Sequence, residues 1–253
     1  MTARRMWALD GARLYLATAD LVTGGEGVQE IPAPTFLIEH GQGLVLLDTG
    51  LDPAAAGRED EVYGDLKPLV LARFGPERGV DAQLASIGKS PADVTHVVVS
   101  HCHFDHTGGL RLFPHAKLLI HEAEWRYAHT DPGPAVRKAD FDATADADWH
   151  LLAGDHDVFG DGAVTLVSLP GHTPGNFALL VRLPSQTILL TADTTHLRCA
   201  YEAELPMPID TDHTAAVQAI GALKRIATRE SARVWICHDP DDWTEWAAPR
   251  MYT

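Results

Sequence analysis

Positive charge is scarce in this chain: 20 Lys plus Arg stand against 35 Asp plus Glu, a formal charge of −15 with neutral histidine. Such a field repels phosphate backbones and anionic lipid, so nucleic acid and membrane surfaces are excluded as expected partners. Long hydrophobic runs are also missing, and no stretch approaches the roughly 18 apolar residues of a membrane-spanning helix. The opening MTARRMWALDGARLYLATADL carries two arginines, but Asp10 and Arg13 interrupt it before an apolar run of secretory-signal length can form. Cysteine is sparse: Cys102, Cys199 and Cys237 make an odd count without a C-x-x-C, which excludes a disulfide framework and a Cys-rich zinc site. A reducing cytoplasm is the expected setting. At 253 residues and 45% apolar, folding hides roughly 70 to 75% of the unfolded surface. No structural metal is needed to hold such a core, and any metal site is free to do chemistry.

Histidine is what the chain does have, 14 in all, and several are clustered. Two hairpin signals, Thr35 to Gly50 and Phe177 to Thr195, each pair β-rich runs around a turn and close on Asp-Thr, at Asp48-Thr49 and Asp193-Thr194. Helix-compatible segments follow: Asp60 to Phe74 and Val80 to Ile87 after the first, Thr214 to Ala227 after the second. Each is succeeded by an apolar run that ends on histidine, THVVVSH (Thr95 to His101) and ARVWICH (Ala232 to His238). The order hairpin, Asp, helix, strand, His is thus stated twice. It predicts two similar α/β halves packed sheet against sheet, a single domain over 1–253 in four layers, helix, sheet, sheet, helix. Leu21 to Thr35 and Glu204 to Thr214 read as loops able to border a pocket. Seven aspartates between Asp140 and Asp161 lack the calcium-loop spacing and read as a solvated acidic surface.

The strand ending at Ser100 runs into His101-Cys102-His103-Phe104-Asp105-His106-Thr107-Gly108-Gly109, four potential metal ligands within six residues. A loop leaving a strand end can wrap that spacing around metal, with His101 and His103 serving one ion and Asp105 and His106 turned toward a second. Four desolvated polar groups would otherwise need partners of their own. His172 in the constrained Leu169-Pro-Gly-His-Thr-Pro-Gly175 loop, Asp193 and His238 stand at the points where the internal repetition would bring strand ends together.

With these residues in order, the chain resembles the metallo-β-lactamase superfamily from about Thr35 to His238. The resemblance implies an αββα sandwich with a dinuclear zinc centre at one edge. His101, His103 and His172 would hold one zinc ion, Asp105, His106 and His238 the other, and Asp193 would bridge them, with Asp48 in a supporting place. HCHFDHTGG, GDHDVFGDGAVTLVSLPGHTPGN, the DTTH segment and CHDPDDW most resemble bacterial N-acyl-homoserine lactone lactonases. The chain departs from them in carrying His196 where a Tyr is common three residues after the bridging Asp, and Asn176 where a second His is frequent. Its region before Thr35 has no recognisable signature.

The chemistry so implied is ring-opening hydrolysis of a lactone. Two zinc ions acidify water, polarise the ester carbonyl and take up developing charge, Asp105 carries the proton to the departing oxygen, and His196 takes the Tyr's place at the carbonyl. His103 at the third position of the cluster favours hydrolytic zinc over di-iron redox relatives. Charge opposes the RNA-processing branch, and no basic patch for a glutathione thioester is evident. Hydrolysis of another cyclic ester or thioester shares the same ligands, and a non-catalytic zinc-binding protein would be marked by a missing ligand. A Cys102 or Cys237 nucleophile is disfavoured, because strand neighbours point opposite ways and each cysteine is adjacent to its histidine. The acyl-chain preference and the oligomeric state are left open.

Overall fold

The computed structural model describes residues 2–246 and 250–253. Its strands are β1 (Arg5–Ala17), β2 (Val28–His40), β3 (Gly43–Leu47), β4 (Val70–Arg73), β5 (His96–Val98), β6 (Lys117–His121), β7 (Asp148–Leu152), β8 (His156–Asp157), β9 (Val164–Ser168), β10 (Phe177–Arg182), β11 (Thr187–Leu190), β12 (Arg233–Trp235) and β13 (Arg250–Tyr252). One sheet runs β13-β1-β2-β3-β5-β6-β7 with β4 also paired to β1, and the other runs β12-β11-β10-β9-β8.

Alternation along each strand decides which layer a side chain joins. Phe36, Ile38, Val45 and Leu47 of the first sheet pack with Leu179, Val181, Ile188 and Leu190 of the second in one core between the sheets. The intervening Leu37, Leu44 and Leu46 face outward with Val80 and Leu84 of the helix Val80–Ser86. Ala178, Leu180 and Leu189 face outward on the other side, against Ala219, Leu223 and Ala227 of the helix His213–Glu230. The expected four layers are therefore present.

The repeated order also has a geometric counterpart. β3 pairs antiparallel with β2 and parallel with β5, just as β11 pairs antiparallel with β10 and parallel with β12. Strand ends that carry Asp48, His101, Asp193 and His238 consequently emerge on one edge.

Three expectations need correction. Asp60 to Phe74 is not one helix: a turn at Glu59–Val62 and a 3-10 turn at Gly64–Leu66 give way to β4, which pairs with Arg13 to Leu16 of β1. Pro68 cannot donate a helical hydrogen bond, and Val70 to Arg73 finds its partners across the sheet instead. Of the Leu21 to Thr35 segment expected as a loop, only residues 22–27 connect elements, while Val28 to Thr35 belongs to β2; β1 before it is hidden in the sequence because a register shift between Leu9 and Ala12 breaks its alternation. Among the aspartates from 140 to 161, Asp140 is buried, Asp157 accepts from the backbone N–H groups of Phe159, Gly160 and Gly162, and Asp161 stands 3.1 Å from His40. These three are structural, while Asp142, Asp146, Asp148 and Asp155 are exposed as expected.

Candidate metal centre and active site

The seven residues expected to bind metal converge at this edge, and all but His103 are buried. After β5 the chain passes through His101 and His103 into a single helical turn, Phe104–Thr107, which presents Asp105 and His106. Gly108 allows the exit: a Cβ there would stand 2.3 Å from the backbone nitrogen of Asp52. His172 comes from the loop between β9 and β10, Asp193 follows β11, and His238 follows β12.

The seven expected donors form two groups, and His196 stands within the same reach of Asp193 and His238. In the first, His172 Nε2 lies 3.1 Å from His103 Nδ1 and 3.4 Å from Asp193 Oδ2, and His101 Nε2 lies 3.5 Å from the same oxygen. In the second, His106 Nε2 is 3.4 Å from Asp105 Oδ2, 3.3 Å from Asp193 Oδ1 and 3.4 Å from His238 Nε2, while His238 Nε2 is 3.0 Å from Asp193 Oδ1. Metal–ligand bonds of about 2.0 to 2.2 Å in a tetrahedron set donors roughly 3.3 to 3.6 Å apart, and the separations here, from 3.0 Å for His238 Nε2 and Asp193 Oδ1 to 3.8 Å for His238 Nε2 and Asp105 Oδ2, bracket that spacing. Asp193 divides its two oxygens between them. His101 Nε2 and Asp193 Oδ1 are buried without a hydrogen bond of acceptable geometry, the condition of groups that await a cation rather than each other. The residues present therefore fit two metal ions.

Outer partners orient the rings. Asp48 lies 2.8 Å from His106 Nδ1, Asp210 lies 3.0 Å from His172 Nδ1, and the Pro32 carbonyl accepts from His238 Nδ1 at 2.6 Å. Ser100 Oγ stands 3.1 Å from His101 Nδ1 and donates to Asp48. No sequence motif marks Asp210; its signal is its place inside the Glu204 to Thr214 segment, which does border the site. Asn176, in place of the frequent second His, bridges the Leu169 carbonyl and Thr194 Oγ1 and joins neither donor group.

Electrostatics follow from crowding charges away from water. Burial alone would raise the Asp193 carboxyl, but the imidazoles of His106 and His238 hold it well below its ordinary range. Asp105 is likewise brought down to about 2 against the effect of burial, chiefly by His106. Burial and the neighbouring His172 lower His103 to about 3, which keeps a ring lone pair free.

His196 also lies here, 4% exposed. Its Nε2 is 3.2 Å from Asp193 Oδ2, its ring stacks on His238 at 4.6 Å, and its Nδ1 is buried without a partner. The two cysteines beside histidines point away, Cys102 into the outer core and Cys237 into the core between the sheets. Burial raises both thiols, Cys237 to about 12, so neither offers a thiolate at neutral pH.

A cavity of about 250 Å³ opens onto the donors. Its inner end is His103, Asp105, His172, Asp193 and His196, and its walls include Leu14, Leu16, Ile31, Leu66 and Val70. The N-terminal region, which carries no sequence signature, thus builds much of the apolar wall. Among the described residues no helix is long and apolar enough to cross a membrane.

Known proteins resemble this chain in sequence and in fold. The N-acyl homoserine lactonase AttM of Rhizobium radiobacter is 33% identical over 264 residues, with 100% of each chain covered. An N-acyl homoserine lactonase of a Bacillus species is 28% identical over 245 residues, 94% of each chain. Among solved structures, an N-acyl homoserine lactone hydrolase with N-hexanoyl-L-homoserine at its catalytic metal centre superposes over 100% of both chains, with a TM-score of 0.90 and 24% identity. At that identity the superposition establishes the fold. The metallo-beta-lactamase superfamily pattern matches residues 29–243, which hold both donor groups and every strand from β2 to β12 but not β1 or β13, and the chain belongs to that superfamily.

Proposed function

We propose that this protein opens the ring of a lactone by hydrolysis, with N-acyl-homoserine lactones as the substrate class and two zinc ions as cofactors. The observation that carries the reading is the junction of an apolar cavity with paired metal-donor groups: an acyl tail would lie along Leu14, Leu16, Ile31 and Val70 while the lactone would reach Asp105, Asp193 and His196. Full-length similarity to curated N-acyl homoserine lactonases supports the same substrate. His101, His103 and His172 would hold one cation, Asp105, His106 and His238 the other, with Asp193 between them. When bound, the pair supplies an acidified water and polarises the ester carbonyl.

The chain's own groups do the rest. The apolar wall excludes bulk water and orients the acyl chain. Asp105, ionised and facing the cavity, accepts the attacking water's proton and returns it to the ring oxygen as the acyl C–O bond breaks, leaving a hydroxy acid. His196 donates a hydrogen bond to the carbonyl oxygen. A cytoplasmic setting, with Cys102, Cys199 and Cys237 as free thiols, belongs to this reading.

The test is a panel of acyl-homoserine lactones, other lactones, a β-lactam and a glutathione thioester offered to zinc-loaded protein. The expected product is the parent mass plus one water with the acyl amide intact, and acidification should regenerate lactone. Release of fatty acid and homoserine lactone would make the protein an acylase and overturn the proposal.

A further inference from the structure

The donor groups do not account for Glu124. This residue sits in the helix Glu122–Thr130 that follows β6, and it is 0% exposed. A buried carboxylate is expensive unless its oxygens are satisfied, and among the described residues no Lys, Arg or His forms an ion pair with it. Its partners are two backbone amides and, more weakly, the Cys102 thiol. The N–H of Cys102 donates to Oε1 at 2.9 Å and the N–H of Gly175 donates to Oε2 at 2.8 Å.

Those amides belong to different loops. Cys102 lies between His101 and His103, and Gly175 ends the turn that begins at Gly171-His172. The fit at Gly175 is close: a Cβ there would fall 2.6 Å from both the backbone nitrogen and the Cβ of Glu124. One side chain therefore joins the two loops that carry all three histidines of the first donor group, and it has no bond to Asp105, His106 or His238.

We propose that Glu124 is a positioning residue that sets the separation of these loops and thereby the geometry of the cation site formed by His101, His103 and His172. The inference rests on assigning those histidines to one cation. Charge-assisted bonds to a single rigid carboxylate hold both backbones at a fixed distance from it. In Glu124→Gln one oxygen remains an acceptor, but the amide NH₂ meets the other backbone N–H donor to donor. That loop must withdraw, and the three histidines lose their common geometry. The Cys102 thiol also hydrogen-bonds Glu124, but it is a weak donor, and Cys102→Ala leaves in place the backbone amide that makes the tie.

Cobalt and zinc titrations of apoprotein against a competing chelator test the proposal, with wild type, Glu124→Gln and Cys102→Ala compared. Wild type and Cys102→Ala should bind two ions with the same affinities. In Glu124→Gln one affinity should fall by about 10- to 100-fold, the effect of losing an outer partner of a metal site, and the other should stay within about threefold. The visible spectrum of cobalt in the weakened site should change in position or intensity. Equal affinities and an unchanged spectrum in Glu124→Gln would overturn the proposal, as would equal weakening of both ions, which marks general loss of structure. Wild-type protein that binds fewer than two ions overturns the metal assignment and this inference with it, whereas two tight ions in every variant overturn only the role of Glu124. Where Glu124→Gln does not fold, amide hydrogen exchange in wild type decides: Cys102 and Gly175 should be protected together in the apoprotein and exchange at matched rates. Exchange at the rate of open loops would overturn the proposal.

Discussion

Asp48 and Asp193 occupy corresponding places: Asp48 directly follows β3, Asp193 stands three residues beyond the end of β11, and each of these strands is antiparallel to one neighbour and parallel to the next. The backbone turns sharply at both: Asp48 itself has φ 59°, and Ala192 just before Asp193 has φ 44°, a region non-glycine residues seldom enter. Each is followed by a threonine that ties the site together, Thr49 donating to the His106 carbonyl and Thr194 accepting from Asn176. Their surroundings differ. Asp48 receives the Ser100 N–H, the Ser100 hydroxyl and His106 Nδ1, so its oxygens are satisfied by protein. Asp193 faces the Nε2 atoms of His101, His106, His172, His196 and His238, and one of its oxygens lacks a hydrogen bond. The fold delivers a carboxylate to the edge twice, and on the proposed assignment the groups around it decide whether it orients a ligand or acts as one.

The largest expected effect sharpens that contrast. Asp193→Asn removes the oxygen pair shared by both donor groups and should cost about 4 kcal/mol in transition-state stabilisation, roughly a thousandfold in kcat/KM. Metal content should fall below two ions per chain. Full activity with two bound ions would break the assignment of Asp193 as the bridging carboxylate.

Asp140 extends the comparison to a buried carboxylate with fewer donors. It accepts from Thr107 Oγ1 and Arg137 Nη1, and desolvation nevertheless raises its carboxyl from 3.8 to about 6. The folded state therefore holds a proton that the unfolded chain releases, and this contribution to stability is complete below about pH 4 and lost as pH rises through 6. A rise of that size is worth about 3 kcal/mol as an upper limit. Urea midpoints from pH 4 to 8 should show the parent losing stability relative to Asp140→Asn across that window. Parallel curves would show that Asp140 is as well satisfied as Asp48.

Asp48→Asn is expected to be milder than Asp193→Asn. The new amide can still accept from the Ser100 N–H, but its NH₂ faces His106 Nδ1 and forces the proton onto Nε2, the nitrogen that must offer a lone pair to the cation. The loss should be about 10- to 100-fold in affinity for one ion, read by chelator competition. An effect equal to that of Asp193→Asn would erase the distinction between orienting and binding carboxylates.

How much of this is legible in the sequence depends on distance along the chain. The cluster from His101 to His106 is contiguous and follows an apolar strand, so the convergence of its donors can be read directly. His172, Asp193 and His238 become readable through the internal repetition and the family resemblance. Asp210 and Glu124 do not, because each acts on a partner far along the chain, 38 residues away at His172 and 51 at Gly175, and an isolated acidic residue carries no local mark of such a contact. β4 is hidden for a related reason. Its strand pairing with β1 overrides a composition compatible with helix.

The smallest effect concerns a feature on one side of the comparison only. Three residues after Asp48 stands Leu51, buried among apolar neighbours; three residues after Asp193 stands His196, on the cavity wall. Burial is the main cause that lowers the His196 imidazole below its ordinary value, so the ring is neutral near pH 7 and has one N–H to give. With that proton on Nε2, the nearest acceptor in the structure is Asp193 Oδ2, and a lactone carbonyl must compete with a carboxylate for it. The competition limits what His196 can add. His196→Ala should lower kcat/KM about tenfold with both ions retained, less than the ~10² to 10³ that follows loss of a principal oxyanion donor. His196→Tyr supplies a hydroxyl donor at the same position and should recover much of the rate. Unchanged kinetics in His196→Ala at full metal content would assign the ring to support of Asp193 and His238 alone, leaving its N–H without a part in the reaction.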